Sequence, residues 1–466
     1  MTQPSEAAVP AADLPTPPAM PHWRRNVGAF LGGQTISLFG SMLVQYAVFW
    51  YITIEFQSGV MMMLAVVFGF LPQALVSIFG GVWADRYNRR RLVILADATI
   101  AASTLTLALV MLAGYTEPWL IFVALAARSA GAGVQMPAVS ALIPQIAPPE
   151  QLMRVNGFLA SIQSAMALLA PAVAGGIYAW AAQGANGSPL ALVPIFFIDL
   201  VTAAIAIGLM LTIPVPTIRS AAEAGQGYIT DLVEGLRYVA DHGVVRWILM
   251  LFAIVFLLTV APSTLTPLLV VRSFPSGEEG NVFNLAVLEM AFALGMVLGG
   301  ILVATLAANR DRVALIGGSS LLFGALSIAL GLAPAVWLFF VIMFVVGLAV
   351  PFFSTPSMTL LQETVEPERQ GRVFGLLGIV MAVATPVGMV ILGPLADVVP
   401  IEWIMVGTGL LTFIVVAVAL FSPPGRRAVQ AVHATAKAAG DAAESAAGTG
   451  TAAPAAPPTV PSAESR

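Results

Sequence analysis

Long apolar segments alternate with short polar ones along most of the chain. A helix needs roughly 20 apolar residues to cross the hydrocarbon layer of a bilayer, and twelve segments reach that length. The pattern therefore predicts twelve membrane-spanning helices. They are expected at about residues 26–54, 60–83, 92–114, 118–143, 154–182, 190–213, 244–271, 282–306, 313–333, 335–361, 371–397 and 401–421.

The two ends of the chain differ in composition from these segments. Residues 1–23 are rich in Pro and Ala and lack the basic start and the cleavage site of a signal peptide. Residues 422–466 contain Ala, Pro, Ser and Thr with few large apolar side chains, too few to form a core. We expect both ends to be disordered tails.

The longest internal polar segment, residues 214–243, divides the predicted spans into two groups of six. Residues 24–213 form the N-terminal group and residues 244–421 the C-terminal group. Within the linker, five apolar residues fall on one face of a predicted helix, so we expect an amphipathic helix at the membrane surface. These residues are Ile229, Leu232, Val233, Leu236 and Val239.

The basic residues set the expected orientation. If both termini are cytoplasmic, eighteen of the twenty Lys and Arg residues fall on the cytoplasmic side, with Arg272 outside and Arg128 inside a span. Cytoplasmic segments of membrane proteins carry such an excess of positive charge. The chain is therefore predicted to cross a membrane many times, with cytoplasmic termini.

Composition narrows the possible functions. Hydrophobic residues make up 59% of the chain and charged residues 9%, with a mean hydropathy of +0.92, which excludes an ordinary soluble protein. There is no cysteine, and His22, His242 and His433 are scattered. The sequence has no Walker-type phosphate loop, nucleophile–base pair or basic–aromatic patch. We expect no catalytic residue, metal, cofactor or nucleic-acid partner.

The two groups of spans share a short repeated pattern. Pro149, Glu150, Arg154, Val155 and Gly157 each recur 218 residues later in the chain. Both copies link an even-numbered span to the next odd-numbered one, which indicates an internal duplication. Duplicated halves of this kind are typical of secondary transporters, whose substrate site lies between the halves near the middle of the membrane.

The loop between the second and third predicted spans carries the most specific motif. Residues 81–92, GVWADRYNRRRL, resemble the G-x-x-x-D-R-x-G-R-R/K-x loop of the major facilitator superfamily, with Asn88 in place of a glycine. We expect Asn88 to adopt the left-handed turn conformation. The resemblance implies a latch that closes one gate, with Gly81 allowing close helix packing. The alternative is a topology signal only. The latch residues would be Gly81, Asp85, Arg86, Arg89 and Arg90.

Other segments resemble a narrower branch of that family. Residues 128–133 are similar to an R-x-x-x-G-x-G element, one residue shorter, and residues 170–176 loosely resemble the G-P-x-x-G-G element of antiporters. Residues 140–157, 231–238 and 366–375 resemble macrolide-efflux and enterobactin-exporter-like proteins. The resemblance implies an all-α protein of the bacterial plasma (inner) membrane, with twelve helices in two pseudo-symmetric halves and proton-driven export.

Charged residues inside spans are the candidates for proton coupling. An ionised group in the membrane is energetically costly, so its presence there indicates a function. The resemblance associates Arg128 with coupling, although a structural ion pair is the alternative. Glu289 lies at a similar depth in the opposite half, so we expect these two residues to meet across the cavity. Asp199 is a rival candidate or a packing residue. Asp97 is expected to partner the arginine loop, and Glu363 lies at the inner end of its span.

The helices that line the cavity in this family offer polar side chains among large apolar ones. This mixture predicts an amphiphilic guest. The candidates are Gln45, Gln73, Gln135, Gln163, Ser164, Thr264 and Thr385.

Taken together, the sequence predicts a monomeric secondary transporter in the lipid bilayer. It would export amphiphilic small molecules, such as drugs, macrolides or siderophore-like compounds, in exchange for protons by alternating access. One alternative is an uncoupled or uptake transporter of a metabolite. Another is a membrane receptor or scaffold that retains the fold without transporting.

Overall fold

The computed structural model describes residues 22–183, 188–215, 228–306, 310–423 and 425–434. Twelve helices in these ranges are long and apolar enough to span a membrane, as predicted. We number them spans 1 to 12: Trp23–Phe56, Gly59–Ala84, Arg89–Leu112, Pro118–Ile146, Pro149–Ala182, Pro189–Leu211, Gly243–Ser273, Gly277–Leu306, Arg312–Leu332, Val336–Thr364, Arg369–Val398 and Ile401–Phe421.

Twelve crossings place the start of span 1 and the end of span 12 at the same face of the bundle. We call this face the terminal face and the opposite one the far face. Odd-numbered spans run from the terminal face to the far face, and even-numbered spans run back. The linker helix, Tyr228–Asp241, therefore lies at the terminal face between spans 6 and 7.

Several spans begin at a polar side chain that accepts a free backbone N–H of the first turn. Ser58 caps span 2, and Asp311 caps span 9 by accepting from the N–H of Val313 at 2.9 Å. Asn88 caps span 3, with a φ of −63° and its side chain 3.2 Å from the N–H of Arg91. The expected left-handed turn at Asn88 is therefore wrong, because helix capping requires an extended residue at this position.

Glycines allow neighbouring spans to approach closely. A Cβ at Gly80 of span 2 would lie 2.6 Å from the carbonyl oxygen of Gly133 in span 4. In the C-terminal half, Gly295 of span 8 and Gly347 of span 10 each face a backbone carbonyl of the other helix. Gly81 faces open space, so the close packing expected at Gly81 is provided by its neighbour Gly80.

The predicted linker helix is present and packs against span 11. Glu234 of the linker helix lies 2.8 Å from Arg372 of span 11, and Gly235 allows the two backbones to approach. Val233 and Leu236 are exposed, so these two apolar residues of the linker helix are not covered by the bundle. The side chains of Ile229 and Leu232 lie outside the described residues.

Part of the segment predicted to be a disordered tail is a helix. Residues 425–434 are helical, with Ala428 and Val432 buried on one face. His433 lies 3.0 Å from Asp311 at the start of span 9. The prediction of disorder is wrong for this segment, because Ala428 and Val432, four residues apart, find an apolar surface that the sequence alone does not reveal. Residues 1–21 and 435–466 lie outside the described residues.

We predict that Gly295→Ala and Gly347→Ala each destabilise the protein. The added methyl group has no room between spans 8 and 10, and such overpacking costs about 1–3 kcal/mol. Gly300→Ala is the matched control, because a Cβ at Gly300 meets no atom of the described residues within 4 Å. The apparent melting temperature in detergent should fall for the first two variants only. Equal melting temperatures for all three variants would contradict this account of span packing.

Candidate functional site

The two halves of the bundle contact each other toward the far face. Span 2 crosses span 11 where Gly59 and Gly393 bring the two backbones together. Span 5 crosses span 8 where a Cβ at Gly175 would lie 3.1 Å from the side chain of Ala286. Small residues at both crossings allow the two halves to pack closely near the far face.

An ionic cluster, here called the far-face clasp, reinforces this closure. It consists of Arg272 of span 7, Asp397 of span 11, and Gln57 and Ser58 between spans 1 and 2. Arg272 donates to a carboxylate oxygen of Asp397 at 2.7 Å and to the carbonyl oxygen of Gln57 at 2.9 Å. Because Gln57 belongs to the N-terminal half, whereas Arg272 and Asp397 belong to the C-terminal half, Arg272 joins the halves.

Asp397 also caps the start of span 2 in the opposite half. Its carboxylate accepts from the hydroxyl of Ser58 at 2.8 Å and from the backbone N–H groups of Gly59 and Val60 at 2.7 and 2.9 Å. A negative charge at a helix N-terminus is favoured by the free N–H groups and by the helix dipole. The clasp was not predicted from the sequence. Arg272 was an available signal, because it is the basic residue expected on the far side, away from the eighteen on the cytoplasmic side.

The opposite end of the interface is open. Along the terminal-side half of span 5, Met153, Phe158, Ser161, Gln163 and Ser164 are all exposed, whereas its far-side half is buried from Ala170 to Gly175 except near Val173. The exposed positions of this half include the polar side chains of Ser161, Gln163 and Ser164, which the opposite half of the bundle leaves uncovered. The interface between the halves therefore opens toward the terminal face.

Arg128 is held within the N-terminal half by Asp199. The guanidinium lies 2.5 Å from the carboxylate, and both contact Thr104, whose hydroxyl donates to Asp199 at 2.9 Å. Asp199 is almost fully buried. The predicted meeting of Arg128 with Glu289 is wrong in this structure, because the helix contacts of the N-terminal half give Arg128 a nearer carboxylate.

Asp97 is buried beside spans 1 and 4. One of its carboxylate oxygens accepts from Ser37 at 3.1 Å and from Gln135 at 2.5 Å, while the other accepts no hydrogen bond from the described residues. The expected partnership with the arginine loop is therefore not formed. Asp97 instead fixes Gln135, a predicted cavity residue, within the N-terminal half.

The arginines of the loop after span 2 bind backbone carbonyls at the terminal face. Arg89 donates to Ala84 at 3.0 Å and to Ala141 of span 4 at 2.8 Å, and Arg90 donates to Ile213 at 2.8 Å beyond the end of span 6. Positive groups at these helix ends complement the helix dipoles. Arg86 is exposed, and the side chain of Asp85 lies outside the described residues.

In the C-terminal half, an ion pair lies at the same terminal face. Glu363, at the terminal-side end of span 10, lies 2.7 Å from Arg312 at the start of span 9. Both side chains are partly exposed, so this pair lies on the surface of the bundle.

Glu289 lines a cavity of about 420 Å³ within the C-terminal half. The walls come from spans 7, 8, 9, 10 and 11 and are mostly aromatic and aliphatic. Span 7 is interrupted here by a π-helical turn, Ala261–Leu265, which brings Pro262 and Ser263 to the cavity. Such turns are frequent at functional sites. Among the described residues, Glu289 has no hydrogen-bond or ion-pair partner.

The other predicted cavity residues are distributed unevenly. Thr385 lines the cavity with Glu289. Thr264 does not line this cavity; its hydroxyl donates to the carbonyl of Val260 at 2.5 Å and lies 3.0 Å from the sulfur of Met389 in span 11. Gln163 and Ser164 lie on the open part of span 5, Gln45 is exposed on span 1, and Gln73 is half-buried on span 2.

Comparison with known proteins agrees with this architecture. A family model described as Major Facilitator Superfamily matches residues 30–329 and 280–456. Macrolide efflux protein A of Streptococcus pyogenes is 29% identical over 379 residues, which cover 81% of this chain and 90% of that protein. The protein of the same name from Enterococcus faecalis is 30% identical over 324 residues, covering 69% of this chain and 96% of that protein.

A solved structure shares the fold. The crystal structure of a bacterial homologue of the human lysosomal transporter Spinster, inward-facing and unoccupied, superimposes with a TM-score of 0.67 at 16% identity. The alignment covers 89% of this chain and 98% of that one.

We predict that Asp397→Asn weakens the contact between the two halves at the far face. Losing the carboxylate weakens the ion pair with Arg272 and the cap of span 2, together about 1–2 kcal/mol. The chain has no cysteine, so a single Met63→Cys substitution, next to Gly393, reports access to the interface. Maleimide labelling of this thiol should become about fivefold faster or more.

The matched control for this measurement is Glu402→Gln. Glu402 is an acid at the same face that accepts from Ser273 at 2.8 Å, and both residues belong to the C-terminal half. Its substitution should leave labelling unchanged. Equal labelling rates in the Asp397→Asn variant and the parent would show that the clasp does not hold the halves together.

We also predict that removing one partner of the Arg128–Asp199 ion pair destabilises the protein more than removing both partners. Asp199→Leu or Arg128→Met alone leaves a buried charge without a partner, which costs about 3–5 kcal/mol. The double variant should recover most of the lost melting temperature. Additive losses in the double variant would contradict a paired, structural role.

Proposed function

Because the chain belongs to the Major Facilitator Superfamily, we propose that this transporter exports amphiphilic small molecules in exchange for protons. The observation that carries the proposal is the asymmetry of the interface between the halves. It is clasped at the far face and open at the terminal face, as alternating access requires in one of its two states. The names of the macrolide efflux relatives support export as the direction.

The orientation of the transporter follows from its charges. Arg89 and Arg90 lie at the terminal face, together with Arg312 and Arg372. Positive residues concentrate on the cytoplasmic side of bacterial membrane proteins, so the open face is cytoplasmic in this proposal. The state described here is then the one that loads substrate from the cell interior. We place the protein in the plasma membrane as a monomer with cytoplasmic termini.

The lining of the cavity around Glu289 supports the proposal of an amphiphilic substrate. Its walls are apolar, with Thr259, Ser263, Ser354 and Thr385 as the uncharged polar groups. Sites of this kind bind molecules that are largely apolar and carry a few polar groups. This composition favours an amphiphilic guest over a sugar phosphate or another polyanion.

Proton coupling is supported by the state of the in-span charges. Arg128 and Asp199 neutralise each other inside the N-terminal half, so they hold the helices in place. Glu289 faces a cavity and has no such partner among the described residues. Intramembrane carboxylates of this kind serve as proton carriers in transporters. Glu289 is therefore the coupling residue in this proposal.

The proposal predicts substrate-triggered proton movement in proteoliposomes that contain a pH-sensitive dye. A panel of amphiphiles, including macrolides and siderophores, is added to the parent protein and to Glu289→Gln. Proton movement should appear with a panel member and be lost in the variant, because glutamine cannot take up the proton. Glu363→Gln is the control and should retain it, since Glu363 is a partly exposed surface group.

Two outcomes would contradict the proposal. Substrate flux without proton movement in the parent protein would identify an uncoupled transporter. Proton-dependent transport by Glu289→Gln at the parental rate would remove Glu289 from the coupling step.

A further inference from the structure

A groove of about 640 Å³ runs along the outer surface of the C-terminal half, between spans 7 and 12 and the helix at residues 425–434. Span 7 contributes Met250 and Ile254 to its walls, and span 12 contributes Ile414 and Val418. The side chains of Met250, Ile414 and Val418 are each more than half exposed. The groove therefore opens toward the lipid around the bundle and not toward the interface between the halves.

The groove extends from the terminal face toward the middle of the membrane. Arg246 lies close to the start of span 7 at Gly243, and Ile254 follows eight residues further along the same helix. At about 1.5 Å per residue, these two positions are about 12 Å apart along the helix axis. The hydrocarbon layer is about 30 Å thick, so one leaflet contributes about 15 Å. The apolar walls thus match most of the depth of one leaflet.

Two arginines lie at the terminal-face end of the groove. Arg246 belongs to span 7, and Arg427 belongs to the helix that follows span 12. Among the described residues, no Asp or Glu lines the groove, and none forms an ion pair with either arginine. Arg246 donates to the backbone carbonyl of Ala240 at 2.5 Å, so its charge is not neutralised by that contact. The dipole of span 7 also favours a negative group at this end.

The walls of the groove are fixed relative to one another. The indole N–H of Trp247 in span 7 donates to the carbonyl of Ala419 in span 12 at 2.8 Å. The helix at residues 425–434 closes the terminal-face end, and its His433 lies 3.0 Å from Asp311 of span 9. Because three elements are tied together here, the groove has a defined shape with an apolar length and a positive end.

From these observations we propose that the groove binds one anionic phospholipid. The phosphate contacts the guanidinium groups of Arg246 and Arg427, and one acyl chain lies along the walls of spans 7 and 12. Arginine binds phosphate oxygens through paired N–H donors, and basic pockets beside membrane helices bind the headgroups of anionic lipids. A zwitterionic lipid is disfavoured, because its headgroup also brings a positive charge to the two arginines.

A lipid bound in this way connects two parts of the chain. Arg427 belongs to the helix at residues 425–434 and Arg246 to span 7, so a phosphate that contacts both holds the helix against the bundle. The lipid is then a structural ligand of the segment that follows span 12. This role is separate from the proposed transport function and involves neither the substrate nor Glu289.

The test uses the full-length protein, delipidated in detergent, and three probes. Palmitoyl-oleoyl phosphatidylglycerol is anionic, palmitoyl-oleoyl phosphatidylcholine has the same chains and no net charge, and glycerol phosphate is an anionic headgroup without chains. Native mass spectrometry counts the bound molecules. One phosphatidylglycerol should bind at a concentration about tenfold lower than phosphatidylcholine requires, and glycerol phosphate should not bind in this range.

A first pair of variants tests the charge of the groove. The double variant Arg246→Gln, Arg427→Gln should lower the affinity for phosphatidylglycerol by about tenfold or more and leave that for phosphatidylcholine unchanged. The matched control is Arg25→Gln, Arg426→Gln, which removes two exposed arginines of the terminal face that do not line the groove. This control should bind phosphatidylglycerol as the parent does.

A second pair of variants tests the apolar walls. Val418→Trp fills the groove while both arginines remain, and it should weaken binding of phosphatidylglycerol by about fivefold or more. Val201→Trp in span 6 is the matched control, because Val201 and Val418 are both 59% exposed and only Val418 lines the groove. Phosphatidylglycerol should also slow amide hydrogen exchange at residues 425–434 in the parent, but not in the double arginine variant.

Three outcomes would overturn the proposal. They are equal binding of phosphatidylglycerol and phosphatidylcholine, unchanged binding in the double arginine variant, and binding of glycerol phosphate as tight as that of the lipid. The last result would identify a site for free phosphate in which the apolar walls have no role. No transport substrate enters these measurements, so their outcome and that of the proton-exchange experiment are independent.

Discussion

An ion placed in the interior of a membrane protein needs a counter-charge or a proton, and the structure is organised around this requirement. Arg128 meets it permanently, because Asp199 and Thr104 surround its guanidinium inside the N-terminal half. Glu289 has no partner among the described residues and faces a cavity. One charge therefore holds helices of the N-terminal half together, whereas the other borders a cavity.

The ion pair that joins the two halves is of a different kind. Arg272 and Asp397 remain 29% and 26% exposed, and exposed pairs contribute only about 0–1 kcal/mol. The buried pair of Arg128 and Asp199 costs far more to break by removing one partner. In the proposed transport cycle the clasp opens and closes, which requires a weak ion pair, whereas the pair inside the N-terminal half persists. The difference in exposure accounts for this difference in strength.

The two halves share a short repeated pattern but differ in their polar interiors. The repeated residues around Arg154 and Arg372 belong to the terminal face, where both halves use charged residues. Inside the membrane, the N-terminal half contains buried Asp97 and Asp199 with their hydrogen-bond partners. The C-terminal half contains the aromatic cavity. The repeated residues belong to the framework that the halves share, whereas the polar and aromatic interiors differ between the halves.

The sequence by itself determined the twelve spans, their order, the linker helix and the family, because a helix in lipid must satisfy its own backbone and remain apolar over its whole length. These requirements are local, so they are visible in composition and spacing. It also located the charged residues that lie inside the spans. The surroundings of Arg128, Asp97 and Glu289 were decided only by the tertiary structure. Which side chains pair with each other depends on the rotation and crossing angles of the helices. The spacing of residues along the chain determines neither. For the same reason, the clasp of Arg272 with Asp397 and the packed helix at residues 425–434 could not be read from the chain alone.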